Sequence, residues 1–116
     1  MQDTEIEKSK KQILNEIIDY TSNAIASKTI IRKTTGNVSV IAVDSGETIA
    51  EKLSPFDNFI QVIDGSAEIV IDENTNILKT GEGIIIPAHT TNNIKAKERF
   101  KMISTIIKSG YEAISI

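Results

Sequence analysis

The hydrophobic pattern changes period part-way along the chain. In the first stretch Ile6, Ile13, Leu14, Ile17 and Ile18 recur at helical spacing, with Lys8, Lys11, Glu16 and Asp19 on the opposite side. Thr4-Glu5-Ile6-Glu7 reads as a capping box ahead of that stripe, the hydroxyl accepting from the N–H three residues on and the carboxylate reaching back. The pattern predicts a short N-terminal α-helix within residues 1–22, packed on a sheet or on a dimer partner. From Ala24 onward the period becomes two. Segments near 24–33, 38–43, 59–64, 67–72, 76–79, 83–86, 91–95, 100–108 and 111–116 read as strands. Turn chemistry stands between them at Thr35-Gly36-Asn37, Asp44-Ser45-Gly46, Asp64-Gly65-Ser66, Asp72-Glu73-Asn74 and Lys79-Thr80-Gly81. Short strands so closely spaced predict an all-β sandwich or barrel over residues 23–116, with no linker or internal repeat to divide it.

Composition sharpens this picture. Of the 116 residues 23 are isoleucine, while aromatic residues make up only 4%, and branching at Cβ favours strands. A chain of this length has room for one domain and one core. It contains no cysteine, which removes disulfides, thiolate metal sites and cysteine nucleophiles. No apolar run approaches the roughly 20 residues that span a bilayer, and the N-terminus is charged where a signal peptide needs an apolar region, so the expected compartment is the cytoplasm and no membrane partner is expected. A formal charge of −3 with scattered lysines points away from nucleic acid. Asn37-Val38-Ser39 has the glycosylation pattern, and in such a chain it reads as chance.

Two stretches carry a resemblance. Between Phe59 and Ile71, FIQVIDGSAEIVI reads as strand, Gly-containing turn and strand, and Ile84-Ile85-Ile86-Pro87 is an apolar strand stopped by a residue that cannot donate to a ladder. From Gly46 to Ala96 the chain resembles the two-motif core of the RmlC-like cupin superfamily, especially its small single-domain bacterial members. Gly46 and Gly65 fall on the two ends of the first motif (Gly, five residues, His-x-His, three or four residues, Glu, six residues, Gly). Gly81 and Pro87 fall on the frame of the second (Gly, five residues, Pro-x-Gly, two residues, His, three residues, Asn). The resemblance covers about half the chain and rests on residues that shape turns. It implies a double-stranded β-helix, the cupin or jelly-roll barrel.

Cupins bind a divalent metal through the two His and the Glu of the first motif and the His of the second. Carried over, those positions are Lys52, Ser54, Asn58 and Asn92. None is a good ligand, because a lysine offers a cation, and Asn or Ser only weak neutral oxygens. An ammonium beside a dication adds repulsion of roughly several kcal/mol at an effective dielectric near 20. The expectation is therefore a cupin with a degenerate metal site, no bound metal and no other cofactor. His89, the only histidine, stands where the second motif has its Gly, on the far side of its strand or in a turn, and is a peripheral candidate. Glu51 and Asp57 flank the former ligand positions, which leaves a carboxylate-rich site for a hard ion imaginable, although neighbours along a strand point to opposite faces.

If the family geometry carries over, Lys52, Ser54, Asn58 and Asn92 line the barrel and suit a small anionic or polyhydroxylated ligand, or a few ordered waters. A desolvated Lys52 would be a nucleophile or base, but no acid partner is placed beside it and its stem is long enough to carry the charge to the mouth. Two function classes follow. One is a non-enzymatic cupin that binds a small molecule; the other is an isomerase, epimerase or oxygenase with a rearranged active site. Metal-free cupin epimerases pair a His base with a Tyr acid; here the tyrosines are only Tyr20, in the expected helix, and Tyr111, near the C-terminus, and His89 is the only imidazole, so that pairing is not supported. The Ile-rich segments 24–31 and 102–107 offer apolar edges, which predicts a homodimer.

Overall fold

The computed structural model describes residues 5–111, and of residues 51 and 52 the backbone alone. Eight strands follow one another as β1 (Ile25–Lys33), β2 (Gly36–Val43), β3 (Thr48–Leu53), β4 (Asn58–Ile71), β5 (Asn74–Lys79), β6 (Gly83–Ile86), β7 (Thr91–Lys95) and β8 (Phe100–Ile107). All their pairings are antiparallel, in the order β1-β2-β8-β4-β7-β3, with β5 and β6 attached to β4. The architecture is the expected all-β barrel made of one curled sheet.

The 14-residue β4 holds the two halves together. Its first half pairs with β6 and β8, and its second half with β5 and β7. The Asp64-Gly65-Ser66 segment, expected as a turn between two strands, instead lies inside this single strand. A register shift between Val62 and Asp64, together with a positive φ of 81° at Gly65, bends the strand without ending it. A Cβ at Gly65 would run into the Arg99 carbonyl and the Phe100 Cα, so the bend needs glycine for space as well as for its dihedral angle.

The alternation of apolar residues fixes two layers. Inside the barrel Val43, Ile60, Val62, Ile69, Ile94, Phe100 and Met102 are buried together. On the outer face of the β2–β8 sheet, Val40, Ala42 and Ile103 are covered by Ile17, Ile18 and Tyr20 of the N-terminal segment. The stripe read from the sequence thus meets a sheet of its own chain.

That segment is not the predicted helix. Among its described residues the helical content is a single 3-10 turn, Leu14–Glu16. Ser9 has a φ of 61°, which no α-helix accommodates. The Asn15 carbonyl, which a helix would use internally, accepts instead from the Lys101 Nζ at 2.5 Å. The segment is an irregular strap, and Ile13 and Leu14 of the stripe are exposed. Thr4 of the expected capping box lies outside the described residues.

Two further expectations need correction. Residues 102–107 are not an edge, because β8 is paired on both sides, with β2 and β4; β1 alone of the two Ile-rich segments is an edge strand. β3 was not among the expected strands, since its Glu51-Lys52 pair interrupts the apolar pattern. Residues 112–116 of the last expected strand lie outside the described residues. Among the described residues no helix is long and apolar enough to cross a membrane.

Candidate functional site

The strand register stacks side chains in the barrel in layers. Directly paired residues share a face, and successive same-face residues are two apart. The uppermost layer on one wall is Asn37 (β2), Ile106 (β8) and Asn58 (β4); below it come Ser39, Ser104 and Ile60, and then Ile41, Met102 and Val62. On the facing wall Asn92 is paired with Lys52 and Ile71, and Ile94 with Ile49 and Ile69.

These layers enclose a cavity of about 190 Å³. Its polar lining is Asn37, Ser39, Asn58, Asn92 and Ser104; its apolar lining is Ile41, Ile49, Ile94, Met102 and Ile106. The Ser104 hydroxyl donates to the Asn58 Oδ1 at 2.8 Å, across the β8–β4 pair. That bond fixes the amide, whose remaining capacity on the nitrogen side is as a donor.

Of the residues singled out from the sequence, the fold brings Asn58 and Asn92 together in this cavity. The backbone of Lys52 sits opposite Asn92 in the β3–β7 ladder. Ser54 does not line the cavity. It follows β3 in a tight loop, where its Oγ accepts from the Phe56 N–H at 3.1 Å and its carbonyl accepts from the His89 N–H at 2.7 Å. His89 lies in the turn after β6, exposed, with a φ of 64°. Its left-handed backbone is the conformation for which the second motif uses glycine, which explains why this position belongs to the turn and not to the lining.

Asp57 is exposed on the same rim. Its carboxylate accepts from the Ala88 N–H at 2.8 Å, and its own N–H donates to the Tyr111 hydroxyl at 2.7 Å. It staples the loop 54–57 to the turn before β7 and to the last described residue, and it is turned to backbone service.

Sequence reading missed Asn37, Ser39 and Ser104. Their signal was the alternation itself, in which Asn37 and Ser39 interrupt the inward side of an apolar strand and Ser104 interrupts another. The Asn37-Val38-Ser39 pattern is in β2 with both polar residues against the cavity, so it is not an exposed loop.

The donor set does not fit the metal that the fold family implies. Among the described residues no three His, Cys, Asp or Glu side chains come together. The cavity lining offers neutral amides and hydroxyls, one of them already engaged with another. Such groups hold a transition dication poorly.

No protein-family model matches the sequence. A curated relative, protein SchB of Streptomyces halstedii, is 34% identical over 65 residues, which are 55% of this chain and 47% of the relative. The chain thus matches about half the length of that relative. Among solved structures, a conserved protein of unknown function from Streptococcus pyogenes superposes with a TM-score of 0.86 at 27% identity, covering 94% of this chain and 96% of the other. A cupin superfamily protein from Desulfitobacterium hafniense superposes with a TM-score of 0.85 at 21% identity, covering 94% and 100%. The chain has the fold of a small cupin domain. The cupin core accounts for the positive φ at Gly46, Gly65, Gly81 and His89, since these are the motif's glycine positions. The cavity lies inside this barrel, between β2, β8 and β4 on one wall and β7 and β3 on the other.

Proposed function

We propose that this cupin is a non-enzymatic small-molecule-binding protein, whose barrel takes up a small polar or anionic ligand without a metal ion. One observation carries the reading: among the described residues, the cavity lining brings together Asn37, Ser39, Asn58, Asn92 and Ser104, with no imidazole or carboxylate. Neutral donors and acceptors suit hydrogen-bonded recognition, and they lack the basicity that ligation or proton abstraction requires. Ser54 and His89 belong to the supporting rim.

The alternative is an enzyme of the isomerase, epimerase or oxygenase kind with a rearranged site. In its favour, the Tyr111 hydroxyl and the His89 backbone N–H both bond to the loop 54–57. Metal analysis of protein purified without chelator, combined with a thermal-shift screen of sugars and organic acids, separates the two. Substoichiometric metal with a saturable ligand shift supports the binding protein. Stoichiometric Fe, Mn, Ni or Zn overturns it in favour of the enzyme.

The same reading includes a homodimer. β1 is an edge strand with Ile25 and Ile31 exposed, and unpaired edges of this kind invite a second copy. A monomeric mass in solution scattering at micromolar concentration refutes the dimer and leaves the ligand reading intact.

A further inference from the structure

The cavity is not uniformly polar, and its gradient selects a ligand. Along β2 the inward residues run Asn37, Ser39, Ile41; along β8 they run Ile106, Ser104, Met102. On the facing wall Asn92 gives way to Ile94 and Ile49. The amides and hydroxyls therefore form a neck, and Ile41, Ile49, Ile94 and Met102 form a floor over the buried core. A sugar, polar on all sides, would press unsatisfied hydroxyls against that floor, where each unpaired group carries a desolvation cost. An apolar molecule would make no use of the Ser39 hydroxyl or the Asn58 amide nitrogen.

Resting on the reading of the barrel as a ligand pocket, we infer that its ligand class is a short-chain aliphatic carbonyl compound, a carboxylate or primary amide, bound tail-first. The Asn58 Oδ1 accepts from Ser104, which orients the amide, and its nitrogen offers donors suited to a carbonyl or carboxylate oxygen. The Ser39 hydroxyl at the next layer can donate to the same head group or accept from an amide. The tail lies against the four apolar floor residues. A volume of about 190 Å³ is below the ~300 Å³ at which pockets for drug-sized ligands begin, so only a short tail fits.

Calorimetric titration of the full chain with the series acetate to hexanoate, the series acetamide to hexanamide, and glucose and xylose tests this. The expected result is an affinity that rises roughly fourfold with each added methylene until the floor is filled, then stops rising, with no heat from the sugars. Ile41→Phe should abolish the gain with chain length while keeping a cooperative melt; should that variant not fold, Ser39→Leu, which acts at the neck, should instead weaken every member of both series by a similar factor. If a sugar binds, Ser39→Leu removes that binding, and the chain series is flat, the inference is overturned and the pocket reading stands. If no probe gives saturable binding, both fall and the polar layers are internal packing.

Discussion

The Tyr20 hydroxyl donates to the Asp64 carboxylate at 2.7 Å, joining the end of the N-terminal strap to the bend in β4 across 44 residues of sequence. The Arg99 guanidinium lies 4.5 Å and the Lys101 ammonium 4.9 Å from the centre of the same ring. Two cations on its face and an anion at its hydroxyl hold the phenol as the clasp of the strap. Burial, then the hydrogen bond to Asp64, then the charge of Asp64, raise its pKa well above the ordinary 10.0. Tyr20→Phe keeps the ring and loses the hydrogen bond. The expected loss is about 1–2 kcal/mol, measured by urea unfolding. In an alkaline titration followed by phenolate absorbance, Tyr20 should ionise later in the folded chain than in urea. Its contribution is fully present below the unfolded value and is lost as pH rises through the folded one.

Acid should loosen the other end of the strap first. The Glu5 carboxylate accepts from the Arg32 N–H at 2.6 Å and pairs with Lys33 at 3.7 Å; that backbone bond above all lowers its pKa from 4.5, against the next largest effect, desolvation, and with the help of the Lys33 and Lys8 charges. The Asp44 carboxylate, which accepts from the Asn23 N–H at 2.7 Å, is lowered from 3.8 by its bonds to the Asn23 and Ser45 N–H groups and by Arg99. Groups with depressed folded pKa values contribute stability that is present above their unfolded values and lost as pH falls through the folded ones. Protection of the Asn23 and Arg32 amides, taken relative to the free-peptide exchange rate at the same pH, should therefore fall below about pH 4 before protection in β4 and β8 does; a uniform fall would contradict the strap's separate attachment.

Two of the four left-handed motif positions, Gly65 and His89, should respond oppositely. Gly65→Ala forces a Cβ against the Arg99 carbonyl and should cost about 3 kcal/mol or more in denaturant unfolding. His89→Gly relieves a left-handed backbone at an exposed turn and should be neutral or stabilising by up to about 1 kcal/mol, the gain offset by the greater chain entropy of glycine.

Ser104 and Asn58 allow a test of why polar groups stand in the barrel. Ser104→Ala removes the donor to the Asn58 Oδ1 and should cost about 1 kcal/mol. Combining it with Asn58→Leu should recover that loss or exceed wild-type stability, since an apolar pair leaves nothing unsatisfied. A double variant that is more stable and no longer binds ligand would mark the pair as retained for recognition; a double variant much less stable would mark it as structural.

The strands were legible because isoleucine alternation is a direct image of a sheet with one buried face. Val40 and Ala42 alternate with Ile41, and the structure puts the first two under the strap and the third in the barrel. The motif glycines were legible because each sets a backbone angle. The strap's form was not, because the spacing of Ile17 and Ile18 says which side faces the sheet and nothing about the path of the backbone; a side chain 86 residues away, Lys101, takes the carbonyl a helix would have needed. The cavity was half legible. Asn58 and Asn92 were found through the motif frame, while Asn37, Ser39 and Ser104 come from strands outside both motifs and join the others only through register. Ser54, on the motif frame, was placed wrongly because the chain has already left β3 and turned its hydroxyl to the loop.

Because β4 is hydrogen-bonded to β5, β6, β7 and β8, no fragment that ends within it retains a complete sheet. The molecule therefore has no autonomous half from which assembly could start, and early closure of distant segments must precede any gain from pairing, which makes its refolding slow for its size. New termini introduced by circular permutation should be tolerated at the exposed Asp72-Glu73 turn and lethal at Gly65, although the two sites are separated by only a few residues.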